Sequence, residues 1–285
     1  MSWVGRTPPA STGDTQIPLT HSCLVYGDSI EYRRRLSDFF AAGLSGGLRI
    51  LYAGPADADT LRADLSGMPH LDELIADDRL RIAPFGDLYG SGGPVDPASV
   101  VASYADATEE ALADGFGGLC ASADVTEVVR TQEQQSAFAR YEFLIGRYMA
   151  GHPLSAMCSY HKDLGEDQLT QFAVLHADAA PVPMPFQILG ADDGAIALRG
   201  DFDAYGATDF ARVLQRLQPQ PAKDALLIDM SAVRFVDHRL LLTLSSYARA
   251  KGVSVELRAA PPMVQRLLDL LPQGHVHLGE PGAQR

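Results

Sequence analysis

Cysteine is scarce, three residues in 285, and the three are widely spaced and odd in number. That excludes a disulfide framework and fits a reducing compartment, so the expected location is cytoplasmic. No run of about 18 apolar residues occurs, which excludes a spanning helix of ordinary length. The first twenty residues are polar, with Arg6 their only basic side chain and no apolar core, so they read as a disordered tail rather than a leader peptide. Basic charge is also short: 23 Lys and Arg against 36 Asp and Glu leave a formal net charge of −13. A nucleic-acid or anionic-membrane partner is therefore not expected.

Several chemistries are missing as well. Neither H-E-x-x-H nor G-x-G-x-x-G is present. The first strand–helix turn reads Gly27-Asp28-Ser29-Ile30-Glu31-Tyr32-Arg33, with one glycine, no lysine and two carboxylates. A phosphate loop needs the opposite there: wrapping backbone N–H groups and a neutralising lysine. The expected protein is not an enzyme and carries no cofactor. His21-x-Cys23 and Cys158-x-x-His161 invite a metal test, but strand alternation sends Cys158 and His161 to opposite faces, so no metal site is expected.

What is present is a long alternation of strand and helix patterns. Residues 21–27, 48–53, 80–84, 119–123 and 154–160 read as buried strands. Helical patterns fill the gaps, the strongest over 132–150, where Phe138, Tyr141, Leu144, Ile145 and Tyr148 share a face beside Glu142. A last helix is expected over 167–176. Such alternation builds a parallel sheet covered on both faces, with ligands at the carboxyl ends of its strands. The expected ligand-binding set is His21, Tyr26, Asp28, Asp124, Tyr160 and His161, with the Tyr26 and Tyr160 rings covering a small molecule at the sheet edge.

Three prolines at 181, 183 and 185 mark a connector over 179–185, separating a unit over 21–178 from one over 186–285. The whole net charge lies before it; residues 183–285 balance at 11 basic and 11 acidic side chains. The second unit reads as a hairpin around Ala191-Asp192-Asp193-Gly194, then helix 203–217, strand 225–229, helix 237–251, strand 253–257 and helix 262–271.

Leu226-Leu227-Ile228-Asp229-Met230-Ser231-Ala232-Val233-Arg234-Phe235-Val236-Asp237 closely resembles the STAS domain of sulphate transporters and anti-sigma-factor antagonists. The resemblance implies a small α/β domain that docks a regulator, such as an anti-sigma factor or a histidine-kinase-like ATPase. The docking surface it implies is Asp237, His238, Arg239 and Leu240. The family's switch continues D-S-[ST]-G-L, with a hydroxyl that a kinase phosphorylates; here Asp237-His238-Arg239-Leu240-Leu241 offers none.

The first unit resembles the MEDS domain of methanogen and methylotroph regulators. The matching residues are His21-x-Cys23-x-x-Tyr26, Phe39-x-x-x-Gly43-Leu44, Gly115-Phe116-x-Gly118-Leu119, Asp124, Tyr141-Glu142 and Cys158-x-Tyr160. Where that family carries an aromatic three residues after the aspartate, this chain has Glu127. The expected fold class is therefore α/β: a RecA-like parallel sheet with helices on both faces, plus a small STAS-type α/β domain. The expected function is signal transduction bearing on transcription, with a sensed small molecule or protein, a docked regulator and self-association into a homodimer as partners. The alternative is an ATPase-like protein whose Arg33, Arg34 and Arg35 work with Asp124.

Overall fold

The structure is a computed structural model describing residues 19–279, apart from 90, 91, 183, 192, 222, 223, 272 and 273. Most of the expected tail, 1–18, and Pro183 of the connector lie outside the described residues. Thr20 is already tied down, its carbonyl accepting from the Ala156 N–H at 2.8 Å.

The first sheet contains six parallel strands in the order β3-β2-β4-β5-β1-β6. They are β1 (His21–Tyr26), β2 (Arg49–Gly54), β3 (Leu80–Pro84), β4 (Leu119–Asp124), β5 (Leu154–His161) and β6 (Asp178–Ala180). Successive side chains go to opposite faces. Cys23, Leu51 and Ala53 face one apolar layer and Leu24, Ile50 and Tyr52 the other. The second layer is closed by α1 (Ser29–Ser45), α2 (Ala58–Asp64) and α3 (Leu71–Ala76). In α1, Tyr32, Leu36, Phe40 and Gly43 supply the buried stripe, and the Asp28 carboxylate caps the helix by accepting from the Ile30 and Glu31 N–H groups.

A short α4 (Phe85–Leu88) follows β3, and the other face carries α5 (Pro97–Ala113), α6 (Gln132–Met149) and α7 (Glu166–Ala173). Thr131 and Gln134 form a reciprocal capping box at the start of α6. Helix α7 stops at Ala173, three residues before the expected end at His176, and the chain then turns into β6. The expected connector thus begins inside a strand: Ala179 and Ala180 pair with Cys23 and Leu24.

The second sheet has the order β11-β10-β9-β8-β7, with β7 (Phe186–Gly190) and β8 (Ile196–Phe202) antiparallel and the rest parallel. Its other strands are β9 (Ala225–Val236), β10 (Ser254–Arg258) and β11 (Val276–Leu278), and its helices α8 (Ala207–Leu217), α9 (His238–Lys251) and α10 (Pro262–Leu270). Strand β9 runs seven residues past Asp229, where the sequence suggests a turn, because β8 stays paired with it through two register shifts.

The two units share one continuous apolar core. It passes from Phe138, Tyr141 and Phe172 into Phe186, Ile188 and Phe210. Gly190 is a close approach, for a side chain there would meet the Phe143 carbonyl oxygen at 2.8 Å and Arg147 Cβ at 2.9 Å. Polar contacts complete the seam: Arg216 Nη2 donates to Gln135 Oε1 at 2.7 Å, Arg147 Nη2 to the Gly194 carbonyl at 3.1 Å, and the Ile188 N–H to the Val174 carbonyl at 2.8 Å.

Candidate functional site

At the carboxyl edge of the first sheet, the ends of β1, β4 and β5 bring Tyr26, Asp124 and His161 together. The Tyr26 hydroxyl donates to Asp124 Oδ2 at 2.6 Å. Asp124 Oδ1 accepts from the Thr126 hydroxyl at 2.7 Å and its N–H at 3.2 Å. The Tyr26 ring stacks on Tyr32 at 4.6 Å and meets the edge of His161 at 5.1 Å. Burial and the Asp124 carboxylate push the Tyr26 phenol well above its ordinary value, so it stays a hydrogen-bond donor. His161 Nδ1 lies 2.9 Å from Asp163, which Arg130 also engages at 3.2 Å.

Three residues of the expected ligand-binding set do not join this group. Asp28 is spent on the α1 cap. Tyr160, expected beside Tyr26, is fully buried, stacked on Phe172 at 4.9 Å. It precedes His161 on β5, so alternation sends it to the face under α6 and α7. His21 faces the same interior layer and is buried.

Lys162 carries no sequence signal that would place it here. Its side chain lies over Gly27, so close that a Cβ on Gly27 would collide with its Cδ. A cation therefore lies by the β1–α1 turn, supplied by the end of β5 rather than by a phosphate loop. Two of the three arginines of the ATPase alternative are engaged elsewhere: Arg33 pairs with Asp64 at 3.1 Å and Arg34 with Asp38 at 3.7 Å.

A second group is hidden between the sheet and α6. Glu142, fully buried, accepts from the Tyr160 hydroxyl on Oε1. Its Oε2 accepts from His21 Nε2 at 3.0 Å, lies 3.5 Å from Cys158 Sγ and 3.4 Å from His176 Nε2. The two imidazole rings stand 4.2 Å apart. Burial works to raise the Glu142 carboxyl, but His176 and His21 outweigh it and hold it well below the usual carboxylate range. Burial, reinforced by His176, lowers the His21 imidazole. Burial and Glu142 push the Cys158 thiol up. His176 escaped the sequence reading. Its one signal is a histidine closing the apolar run Phe172-Ala173-Val174-Leu175. The four donor atoms of His21, Glu142, Cys158 and His176 lie within 4.8 Å of one another, a set of metal-ligand type that the sequence test, built on Cys23 and His161, did not assemble. Cys23 and Cys158 are register partners, but His161 is at the sheet edge.

In the second unit, Asp237 caps α9, accepting from the Arg239 N–H at 3.0 Å and its guanidinium at 2.7 Å. His238 and Arg239 are exposed. Leu240, expected on the docking surface, is 2% exposed and belongs to the core, because the first inward position of α9 falls there. A groove of about 650 Å³ runs between α8 and α9, lined by Leu214, Leu242, Thr243, Tyr247 and Lys251. A polar cleft of about 830 Å³ spans the two units, lined by Gln135, Gln168, Gln171, Arg212 and Arg216. No helix among the described residues is long and apolar enough to cross a membrane.

No curated protein matches the chain. Residues 189–276, which hold nearly all of the second sheet and the Asp237 cap, match the family model described as the Mlab, STAS domain. The sheet with the Tyr26–Asp124 edge and the buried Glu142 group coincides with residues 20–177, which match the model of the methanogen/methylotroph, DcmR sensory domain. That match spans more than half of the chain, so the protein belongs to the MEDS family, with its sensory domain followed by a STAS domain.

Proposed function

We propose that the protein is a non-enzymatic signalling regulator, in which the MEDS domain senses a small molecule or protein and the STAS domain docks an anti-sigma factor or a histidine-kinase-like regulator. The observation that carries this reading is helix α6. Its inner face bears Glu142 beside the sensory sheet, and it also packs on α8 and β7 of the STAS domain. A change in the sensory core that moves α6 must move the STAS helices with it, because close-packed elements transmit displacement. Two arrangements of α6 with different ligand affinity are what coupling requires.

The sensed molecule is expected at the edge formed by Tyr26, Asp124 and His161, where a phenol, a carboxylate and an imidazole converge with Lys162 nearby. On the output side, His238 and Arg239 stand where STAS relatives carry phosphorylated hydroxyls. Docking here is set by ligand state rather than by phosphorylation.

The test is binding of the full chain to purified anti-sigma factors and kinase-type regulators from its own genome, by calorimetry. Binding to one of them, weakened about tenfold or more by Arg239→Ala with an unchanged circular dichroism spectrum, supports the reading. Absence of binding to all of them, or binding indifferent to both His238→Ala and Arg239→Ala, removes the docking role.

A further inference from the structure

We propose that His21, Glu142, Cys158 and His176 form a four-ligand site for a divalent transition-metal ion, zinc by its donor set, inside the sensory domain. The proposal goes beyond the regulatory reading and does not depend on it.

Geometry is the first argument. A tetrahedral zinc ion with bonds of about 2.0–2.3 Å separates its ligand atoms by about 3.3–3.8 Å. Glu142 Oε2 lies 3.0, 3.4 and 3.5 Å from His21 Nε2, His176 Nε2 and Cys158 Sγ. All four residues are buried, and no atom of the set has to travel far to surround one ion.

Orientation is the second. The His176 Nδ1–H donates to the Phe172 carbonyl at 2.9 Å. That bond places a proton on Nδ1, so in the neutral ring Nε2 carries its lone pair into the cluster. That nitrogen is fully buried and has no hydrogen-bond partner, an expensive arrangement unless something accepts the lone pair. The Tyr160 hydroxyl holds Glu142 by its other oxygen, leaving Oε2 turned to the centre. Outer hydrogen bonds that fix an imidazole tautomer and a carboxylate rotamer are what metal sites use to aim their ligands.

Charge is the third. Glu142 is a fully buried acid whose ion-pair partners among the described residues are two imidazoles and no lysine or arginine. Zinc with the Glu142 carboxylate, the Cys158 thiolate and two neutral imidazoles sums to zero, the cheapest state in a low-dielectric interior. Loading releases one proton, from the Cys158 thiol, and moves the His21 proton from Nε2 to Nδ1. With four protein ligands and no open position the ion is structural rather than catalytic. It joins β1, β5, α6 and the turn after α7. The His176 carbonyl accepts from Gln187 Nε2 of β7 at 2.8 Å, so the ion also anchors the start of the STAS domain.

The competing arrangement is metal-free, with a second proton on His176 facing Glu142. The experiment that separates them unfolds the full chain with chelator and refolds it with Zn²⁺ or Co²⁺ alone. The expected result is about one equivalent retained per chain after gel filtration. The cobalt form should show the intense visible bands of tetrahedral coordination and a thiolate-to-cobalt charge-transfer band. Cys158→Ser should abolish that band, whereas Cys120→Ser, on the opposite face of the sheet, should keep it. His176→Gln should weaken retention at least about tenfold. Wild-type protein that refolds to its native circular dichroism spectrum yet retains less than about 0.1 equivalent overturns the proposal. So does a charge-transfer band that survives Cys158→Ser. The wild-type measurement decides even where the variants fail to fold, and neither result touches partner docking.

Discussion

The Tyr26 hydroxyl donates to Asp124 across β5, the strand that lies between their own. This bond ties β1 to β4 at the carboxyl edge of the sheet and uses an oxygen that a nucleotide-binding sheet would keep for its metal. Tyr26→Phe is expected to lower stability by about 1 kcal/mol in urea denaturation, the usual worth of such a bond. Its effect on a sensed ligand should be larger than its effect on folding. A ligand whose affinity is unchanged in Tyr26→Phe does not bind at this edge.

Arg49 is 2% exposed, yet charged. Its Nη2 donates to Asp114 at 2.7 Å and Asp78 at 3.0 Å, and its guanidinium lies 4.5 Å from the centre of the Phe116 ring. The partner carboxylates are half exposed, so they can be rehydrated when the cation is removed. Arg49→Met, which keeps much of the packing, is expected to cost about 2 kcal/mol by chemical denaturation. A neutral result would show that the pair repays no more than its own desolvation.

The Asp237 cap gives a pH prediction. The backbone N–H of Arg239, then the Arg239 and His238 side chains, hold this carboxyl below its ordinary value. A depressed folded-state value means stabilisation that is fully present above the unfolded value, near about 4, and lost as pH falls through the folded one. Asp237→Ala should therefore cost about 1 kcal/mol at neutral pH, and the gap to wild type should close below about pH 4. Thermal melts of both proteins across pH 3 to 7, at about unit steps, measure it directly. A gap that stays constant would mean the loss is one of packing.

Gly190 sits where β7 meets α6, with the Phe143 carbonyl and Arg147 in the way of any side chain. Gly190→Val should force the two units apart at a cost of about 1–3 kcal/mol. Calorimetry of the wild type should show one cooperative transition, as a continuous core implies. The variant should show two, or become sensitive to proteolysis between residues 181 and 186. Two transitions already in the wild type would contradict the shared core.

Much of the architecture was legible in the sequence. The strands of the first sheet up to β5 announce themselves as short apolar runs between helical patterns, and Asp28, Thr131 and Asp237 mark their helix starts. Strands β6 and β11 escape because they are three residues long, Asp178–Ala180 and Val276–Leu278, and carry no alternation of their own. They exist only because a neighbour offers its edge. Strand β9 is cut short in the sequence reading because Ser231 and Arg234 interrupt its apolar pattern, while pairing with β8 carries it on.

The candidate site divides along the same line. The local pattern alone determined that Tyr26, Asp124 and His161 stand at the ends of strands, and that no phosphate loop faces them. It could not place Tyr160 in the core or remove Leu240 from the surface, since inward and outward positions depend on which face meets a neighbour. Least of all could it assemble His21, Glu142, Cys158 and His176, which are up to 155 positions apart. The parallel register of β1 with β5 puts His21 and Cys158 on one face, two positions apart along the strands, α6 lowers the third onto that face, and the early end of α7 turns His176 back toward them. Periodicity specifies which way a side chain points along its own element; only the packing of separate elements specifies what it meets.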